Sequence, residues 1–365
     1  MVTGQPAGAS ELTTMLRALV EPGLGVRLEE VLVPEPRAGE VLVRSTLVGI
    51  CGSDTHAAAG HHPFLTAPYV PGHEATGVVV SLGAEVDGFA LGQRVLLKPS
   101  VACGACPNCL AGRTNTCESL AWIGCDSSRV LAGAMAEYFV APTGSLYLVP
   151  DALDDQEAAL VECLATPVHA ARIAGDLAGA RVVVFGVGTI GLLSVVAALN
   201  AGAQAVVVTD MEQSKIDRAV RCGALGGVLA SAQDLELGVR SILDGPADVV
   251  FDCVASERSL AQAVGLLRRA GTLLVIGVPP RPAPINLPFV QDGELRVQGC
   301  AAYTEQDMTT AIEIAVAGGI PVAELVSGSY GLQDVAIAFA AAAADTSGKV
   351  MVTPARGVEP AVGAV

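Results

Sequence analysis

Between residues 16 and 44 apolar and polar side chains alternate, as in Arg27-Leu28-Glu29-Glu30-Val31-Leu32-Val33 and Glu40-Val41-Leu42-Val43-Arg44. Pro34, Pro36 and Gly39 punctuate the run, so the pattern predicts short strands joined by turns. Glycine and proline stay dense to about Pro142, which marks a β-rich domain of short strands and long loops. After Asp151 the texture changes. Ala/Leu-rich helical stretches alternate with strand-like runs at 181–185, 205–209, 247–251 and 272–276. That alternation predicts βαβ units on a parallel sheet, an α/β architecture. A strand is expected at 294–298, helices at 305–317 and 334–344, and a last strand at 349–352. The Ala340–Ala344 run reads as helix interior.

A chain of 365 residues exceeds the usual size of one core, so two domains are expected. With 52% apolar and 16% charged residues it has ample material for a buried interior. The formal charge of −16 repels phosphate backbones and anionic lipid headgroups, which argues against nucleic acid and membrane partners. No apolar run approaches the roughly 20 residues of a membrane-spanning helix. Residues 1–10 carry neither a basic leader nor an apolar core, so a secretory signal is not expected there, and the first dozen residues read as a loose extension. Of ten cysteines, five sit in metal-type spacings, which fits a reducing, cytoplasmic setting better than a disulfide framework.

The strand at 181–185 runs into Gly186-Val-Gly188-Thr189-Ile190-Gly191 and then a helical stretch. GxGxxG alone is weak evidence in a chain with 41 glycines. Between a strand and a helix, each glycine has a function: a tight turn, close approach to a pyrophosphate, and close helix packing. The helix N-terminus offers free N–H groups to the phosphates. About twenty residues on, Asp210 ends the next strand, where a carboxylate accepts both ribose hydroxyls and repels a 2′-phosphate, favouring NAD over NADP. The competing readings are a Gly-rich turn in a non-binding domain and a surface aspartate.

Cys103, Cys106, Cys109 and Cys117 lie in a Gly/Pro/Asn-rich stretch, with spacing suited to wrapping one tetrahedral zinc with no open position. Disulfides, free thiols or a zinc-ribbon module are the alternatives. A second constellation is Cys51-Gly-Ser53-Asp54-Thr-His56, followed by His73-Glu74 and later by Glu162-Cys163. Singly, each is weak, because buried Cys and His are usually structural. Together they supply a thiolate, an imidazole and a further S or O donor, leaving one position open, as catalytic zinc requires.

On these motifs, in this order and over residues 16–354, the chain resembles the medium-chain dehydrogenase/reductase family, specifically its zinc-containing alcohol dehydrogenases near the sorbitol and threonine dehydrogenase branch. The resemblance implies a GroES-like β-rich catalytic domain formed by 1–156 and 303–365, with the four-Cys lobe at 100–118. A doubly wound Rossmann NAD-binding domain is inserted at 157–302. It implies two zinc ions per subunit and hydride transfer between NAD(H) and an alcohol, ketone or aldehyde. It makes Cys51 and His73 ligands of the catalytic zinc, and Glu74 a neighbour that ligates directly or swaps in and out. The third donor is Cys163, as in one branch, or Glu162, as in the other, with Cys163 slightly favoured. Asp54 is expected to orient His73, and Ser53 with His56 to relay the proton. Lys349 is placed on the pyrophosphate, and backbone at Gly277 and Val278 faces the nicotinamide; Gly186, Gly188, Thr189, Ile190, Gly191, Asp210 and Lys215 complete the coenzyme set.

The polyol branch typically carries Arg before the Tyr matching Tyr303, whereas Ala302 stands here. The expected substrate is a secondary, polyol-like or amino alcohol. Trp122, Phe64 and Phe139 line an apolar pocket or pack the core, and His61 and His62 read as a solvated loop. The family implies a homodimer or homotetramer. Rival readings are a zinc-independent quinone or enoyl reductase of the same fold, and a non-catalytic zinc-bearing scaffold.

Overall fold

The computed structural model describes residues 14–23, 25–279, 281–344 and 348–354, so the expected N-terminal extension lies outside the described residues. The alternating start of the chain folds as an antiparallel hairpin of β1 (Thr14–Glu21) and β2 (Gly25–Leu32), followed by β3 (Glu40–Gly49) and the short helix α1 (Gly52–Ala58). Next come β4 (Glu74–Leu82), β5 (Arg94–Leu97) and the lobe of β6 (Ser100–Val101), α2 (Pro107–Leu110) and β7 (Ala121–Trp122). The segment closes with β8 (Tyr138–Pro142) and β9 (Leu146–Leu148).

Helix α3 (Asp155–Ala174) leads out of this region. Its start is fixed by Asp154, whose side chain accepts the Glu157 N–H while Glu157 accepts the Asp154 N–H. Then β10 (Arg181–Phe185), α4 (Thr189–Asn200), β11 (Ala205–Asp210), α5 (Gln213–Arg221) and β12 (Gly226–Leu229) alternate. They are followed by α6 (Leu235–Leu243), β13 (Ala247–Asp252), α7 (Glu257–Leu266), β14 (Leu267–Val275), α8 (Leu287–Asp292) and β15 (Arg296–Gly299). These six strands form one sheet of order β12-β11-β10-β13-β14-β15, all parallel. The order reverses between β10 and β13, which places a ligand crevice at their C-terminal ends. Val182, Val183 and Val184 are fully buried, because helices cover both faces.

Helices α9 (Glu305–Val316) and α10 (Val322–Leu325) lead to β16 (Val326–Gly331), α11 (Val335–Ala344) and β17 (Lys349–Thr353). The chain thereby returns to its beginning: β17 pairs with β3, in a sheet of order β16-β17-β3-β4-β5-β9, with β8 also on β3. Among the described residues no helix is long and apolar enough to cross a membrane.

Several boundaries differ from the sequence pattern. Strand β14 begins at Leu267 rather than 272, and β15 runs from Arg296 to Gly299 because Glu294 adopts a left-handed φ of 49° that interrupts extension. Helix α11 begins at Val335, behind a 3-10 turn over Leu332–Asp334. Strand β12 had no strand signal, since Gly226-Gly227 disfavours strands; pairing with β11 imposes it.

Candidate active site and metal centres

Cys51 is the N-cap of α1, and its N–H donates to Asp54 Oδ2 at 3.2 Å, so the helix start fixes its backbone. His73 and Glu74 arrive at the head of β4. Cys51, His73 and Glu74 bring donor atoms within 4.8 Å of one another, and so do Glu74, Glu162 and Cys163. The last two sit side by side on α3, buried like His73 and Glu74. Strand β3 ends at Gly49, where any Cβ would overlap the Glu74 carboxylate, so glycine there lets that carboxylate lie against the sheet.

The two donor groups share Glu74, and its environment is specific. Oε1 accepts from Lys349 Nζ at 2.7 Å, while the buried Oε2 has no hydrogen-bond partner among the described residues. Burial pushes the Glu74 carboxyl upward, but Lys349 and His73 hold it below its ordinary value. Glu162 Oε1 accepts from the buried Tyr303 hydroxyl at 2.8 Å. Burial, reinforced by the Glu74 charge, lifts Glu162 to about 7 and also pushes the Cys163 thiol well up. An orphaned buried carboxylate oxygen among thiol, imidazole and carboxylate donors fits a cation, and this N, O, S mixture suits zinc.

Asp54 stands beside His73, as expected, and has two hydrogen-bond partners of its own. Its Oδ1 accepts the Tyr69 hydroxyl at 3.0 Å, Oδ2 takes the Cys51 N–H, and His73 Nδ1 stands off at 3.9 Å. Cys125 Sγ lies closer to His73 Nδ1, at 3.6 Å, and Trp122 meets the imidazole edge-on with centroids 6.5 Å apart. Cys125 and the Tyr303–Glu162 contact carry no sequence signal, because only the fold juxtaposes them.

The four cysteines Cys103, Cys106, Cys109 and Cys117 also gather donor atoms within 4.8 Å. Backbone amides point at the sulfurs: Cys106 N–H donates to Cys103 Sγ at 3.4 Å, and Cys103 N–H to Cys117 Sγ at 3.2 Å. Amides of Glu118 and Cys109 lower the Cys106 thiol to about 6. Such N–H···S bonds stabilise thiolates, the form that binds metal. None of the ten cysteines is in a disulfide.

A cleft of about 710 Å³ runs from Cys51, His56 and Glu74 past Gly186, Gly188 and Lys349. Thr189, Ile190, Gly191 and Lys215 also line it. Gly191 packs against the Gly186 carbonyl so closely that no Cβ fits, which seats α4 on β10. Asp210 Oδ2 accepts the Val187 N–H at 2.8 Å, holding the glycine turn against the end of β11. Lys215 pairs with Glu212 at 3.0 Å. A neighbouring cleft of about 600 Å³ is lined by Ser53, His56, His61, His62, Gly277 and Val278. His61 and His62 therefore belong to a cleft wall rather than to a purely solvated loop, and His62 Nδ1 also accepts the Leu65 N–H at 2.9 Å. Phe64 is 83% exposed and Phe139 is a buried core residue, so neither lines this pocket. Lys349 does line the larger cleft, but its Nζ is engaged by Glu74 and the Ile50 carbonyl.

Two family models match: the alcohol dehydrogenase GroES-like domain over residues 37–151, and the zinc-binding dehydrogenase over residues 189–317. Sorbitol dehydrogenase of Bacillus subtilis is 31% identical over 84% of this chain and 88% of its own length. The chain belongs to the zinc-containing alcohol dehydrogenases. Another relative of this dehydrogenase, L-threonine 3-dehydrogenase of Deinococcus radiodurans, is 31% identical over 91% of this chain and 95% of its own. A crystal structure of a putative zinc-binding dehydrogenase from Sinorhizobium meliloti, bound to NADP, superposes with a TM-score of 0.87 at 32% identity. It covers 94% of this chain and 100% of its own. The dehydrogenase thus combines a GroES-like domain with a Rossmann-like parallel sheet, and it is a zinc-dependent oxidoreductase of alcohols using a nicotinamide coenzyme.

Proposed function

We propose that this dehydrogenase transfers a hydride between NAD(H) and a secondary, polyol-like or amino alcohol, with two zinc ions per subunit. The observation that carries the reading is a pair of donor groups, Cys51–His73–Glu74 and Glu74–Glu162–Cys163, joined at Glu74. Cys51 and Glu74 line a cleft that the glycine turn also lines, and the other three donors are buried behind them. Cys51 and His73, with Cys163 or Glu162, would hold the catalytic zinc, and the four cysteines of the lobe the structural one. When bound, the catalytic zinc supplies Lewis acidity, lowering a hydroxyl pKa from about 16 to about 7, or about 12 kcal/mol at about 1.4 kcal/mol per unit.

Ser53 is half-buried and His56 exposed, in the same cleft, so the pair leads a proton from the substrate hydroxyl to solvent. Gly277 and Val278 close the cleft where backbone can orient a nicotinamide amide. Asp210, at the end of β11 and beside the glycine turn, favours an unphosphorylated ribose and hence NAD, unlike the NADP held by the Sinorhizobium meliloti protein. The coenzyme domain is taken as residues 157–302. Trp122 packs edge-on to the buried Tyr303 with centroids 6.3 Å apart and to His73 at 6.5 Å, so aromatic rings back the donor group, and Ala302 places no arginine before Tyr303. A homodimer or homotetramer and a cytoplasmic location complete the proposal; ten unpaired cysteines suit a reducing compartment.

The test is NADH formation with primary alcohols, secondary alcohols, polyols and amino alcohols, before and after chelation. Activity with one class, lost on chelation and restored by zinc, is expected. Full turnover by metal-free protein would refute the reading.

A further inference from the structure

A separate cavity of about 400 Å³ lies away from both clefts, between the four-Cys lobe, the C-terminal half of α3 and the edge strand β15. Its wall carries three guanidinium groups, Arg113, Arg172 and Arg296, with Gln298 and Thr304 beside them. No carboxylate lines it, in a chain where 37 acidic residues outnumber 21 lysines and arginines. Its volume is that of a small-molecule site.

The three arginines differ in how they are held. Arg172 is clamped by Asp307, Nε to Oδ1 at 2.6 Å and Nη2 to Oδ2 at 2.9 Å, and Asp307 is fully buried. Asp307 offsets the Arg172 charge and fixes the direction of the guanidinium, whose Nη1 makes no hydrogen bond among the described residues. Arg296 Nη2 donates to the Ile173 carbonyl at 2.7 Å, at the last turn of α3, so its charge is also fixed in direction. The Arg113 side chain meets no partner among the described residues and is exposed. Beneath them, His169 Nδ1 donates to Asp307 Oδ2 at 2.8 Å, which leaves Nε2 to accept from Asn115 Nδ2 at 3.2 Å. Asn115 Nδ2 also reaches the Ala301 carbonyl at 2.9 Å. This buried network pins the lobe, α3 and the chain after β15 into one rigid floor.

We propose that this cavity is a second ligand site, for a small molecule bearing a phosphate or carboxylate group, distinct from the coenzyme cleft. No carboxylate offsets Arg113 or Arg296, while buried Asp307 offsets Arg172 from behind, so the wall keeps two uncompensated guanidiniums, and planar forks match anionic oxygens bidentately. An anion there bridges the four-Cys lobe and β15. The same helix carries Glu162 and Cys163 less than three turns away, about 10 to 15 Å along the axis. Occupancy therefore stiffens the frame that holds the active-site donors. The proposal does not depend on which alcohol is the substrate.

The experiment uses zinc-replete protein saturated with NADH, so that the coenzyme phosphates already occupy the glycine turn. Thermal shift and calorimetry are run with inorganic pyrophosphate in one arm and citrate in the other. A saturable rise in melting temperature with either anion is expected, and the responding arm identifies the ligand chemistry. Arg113→Glu, at an exposed and partner-free side chain, should weaken it about tenfold or more, and Arg113→Ala by less, with turnover unchanged in both. Equal stabilisation of wild type and both variants, or no saturable response in either arm, overturns the site. A smaller oligomer in Arg113→Glu without any anion response also overturns it, and assigns the cavity to contact between copies.

Discussion

Lys349 Nζ lies 2.7 Å from Glu74 Oε1, and both side chains are buried. Burial pushes the lysine down, yet its interactions with Cys163 and the Glu74 carboxylate lift it above its ordinary value, so the Lys349–Glu74 pair stays ionised together. The bond joins β17 to β4 across 275 residues and leaves the buried Glu74 Oε2 without a hydrogen-bond partner among the described residues. Removing one partner strands the other. Lys349→Met should lower stability by about 3 kcal/mol, read by thermal or urea unfolding; an unchanged transition would show that the pair holds nothing in place.

Cys51→Ser and His73→Ala should each abolish turnover while leaving NADH binding largely intact, because the glycine turn and Asp210 lie on the other domain's strands. Fluorescence titration with NADH beside a turnover assay separates the two effects. Normal turnover in either variant would remove these residues from the chemistry.

Glu162 is already committed to Tyr303 through Oε1, whereas Cys163 faces Glu74 with no competing hydroxyl. Cys163→Ala should therefore lose one zinc per subunit and all turnover. Glu162→Gln should keep its metal and lose only part of its rate. Metal analysis of both purified variants decides the donor, and the reverse result would move the assignment to Glu162.

Cys106 belongs to a lobe whose sulfurs are met by backbone amides rather than by a cleft. Cys106→Ala should drop the metal content from about two to about one per subunit and lower the melting temperature. Unaltered stability with both metals retained would contradict a structural site.

Asp307 is held well below the usual carboxylate range: burial opposes ionisation, but the Arg172 and His169 bonds outweigh it. A carboxyl depressed in the folded state contributes stability above its unfolded pKa of about 4, and that contribution fades as the pH falls toward the folded value. Asp307→Asn should cost about 3 kcal/mol at pH 7, and the gap to wild type should narrow between about pH 5 and pH 2. Parallel unfolding curves across that range would show the pairing to be inconsequential.

The α/β order and the two-part architecture were legible because valine runs and glycine punctuation report directly on a buried parallel sheet. The two groups of candidate metal donors were legible for another reason: Cys51, His73, Glu74 and, separately, the four cysteines of the lobe have side chains and spacings that few structural roles demand. What escaped is tertiary. Cys125 beside His73, Tyr303 on Glu162 and Tyr69 on Asp54 depend on contacts between distant segments, and a lone Cys or Tyr carries no local pattern. The sequence position of Lys349 points to the coenzyme cleft, which it lines, but its carboxylate partner 275 residues away carries no local signal. Strand β12 escaped because its glycines hide a strand that only neighbouring β11 imposes.

The pairing of β17 with β3 sets an order on biosynthesis. During translation the sheet of β3 and β4 must wait, lacking β17 and the lysine opposite Glu74, until the chain has been made through Thr353. The parallel sheet, whose strands are contiguous in the chain, can condense first and serve as the scaffold on which the unfinished half is completed. Loss of β17 would therefore damage a sheet whose other strands, β3 and β4, are made about 300 residues earlier.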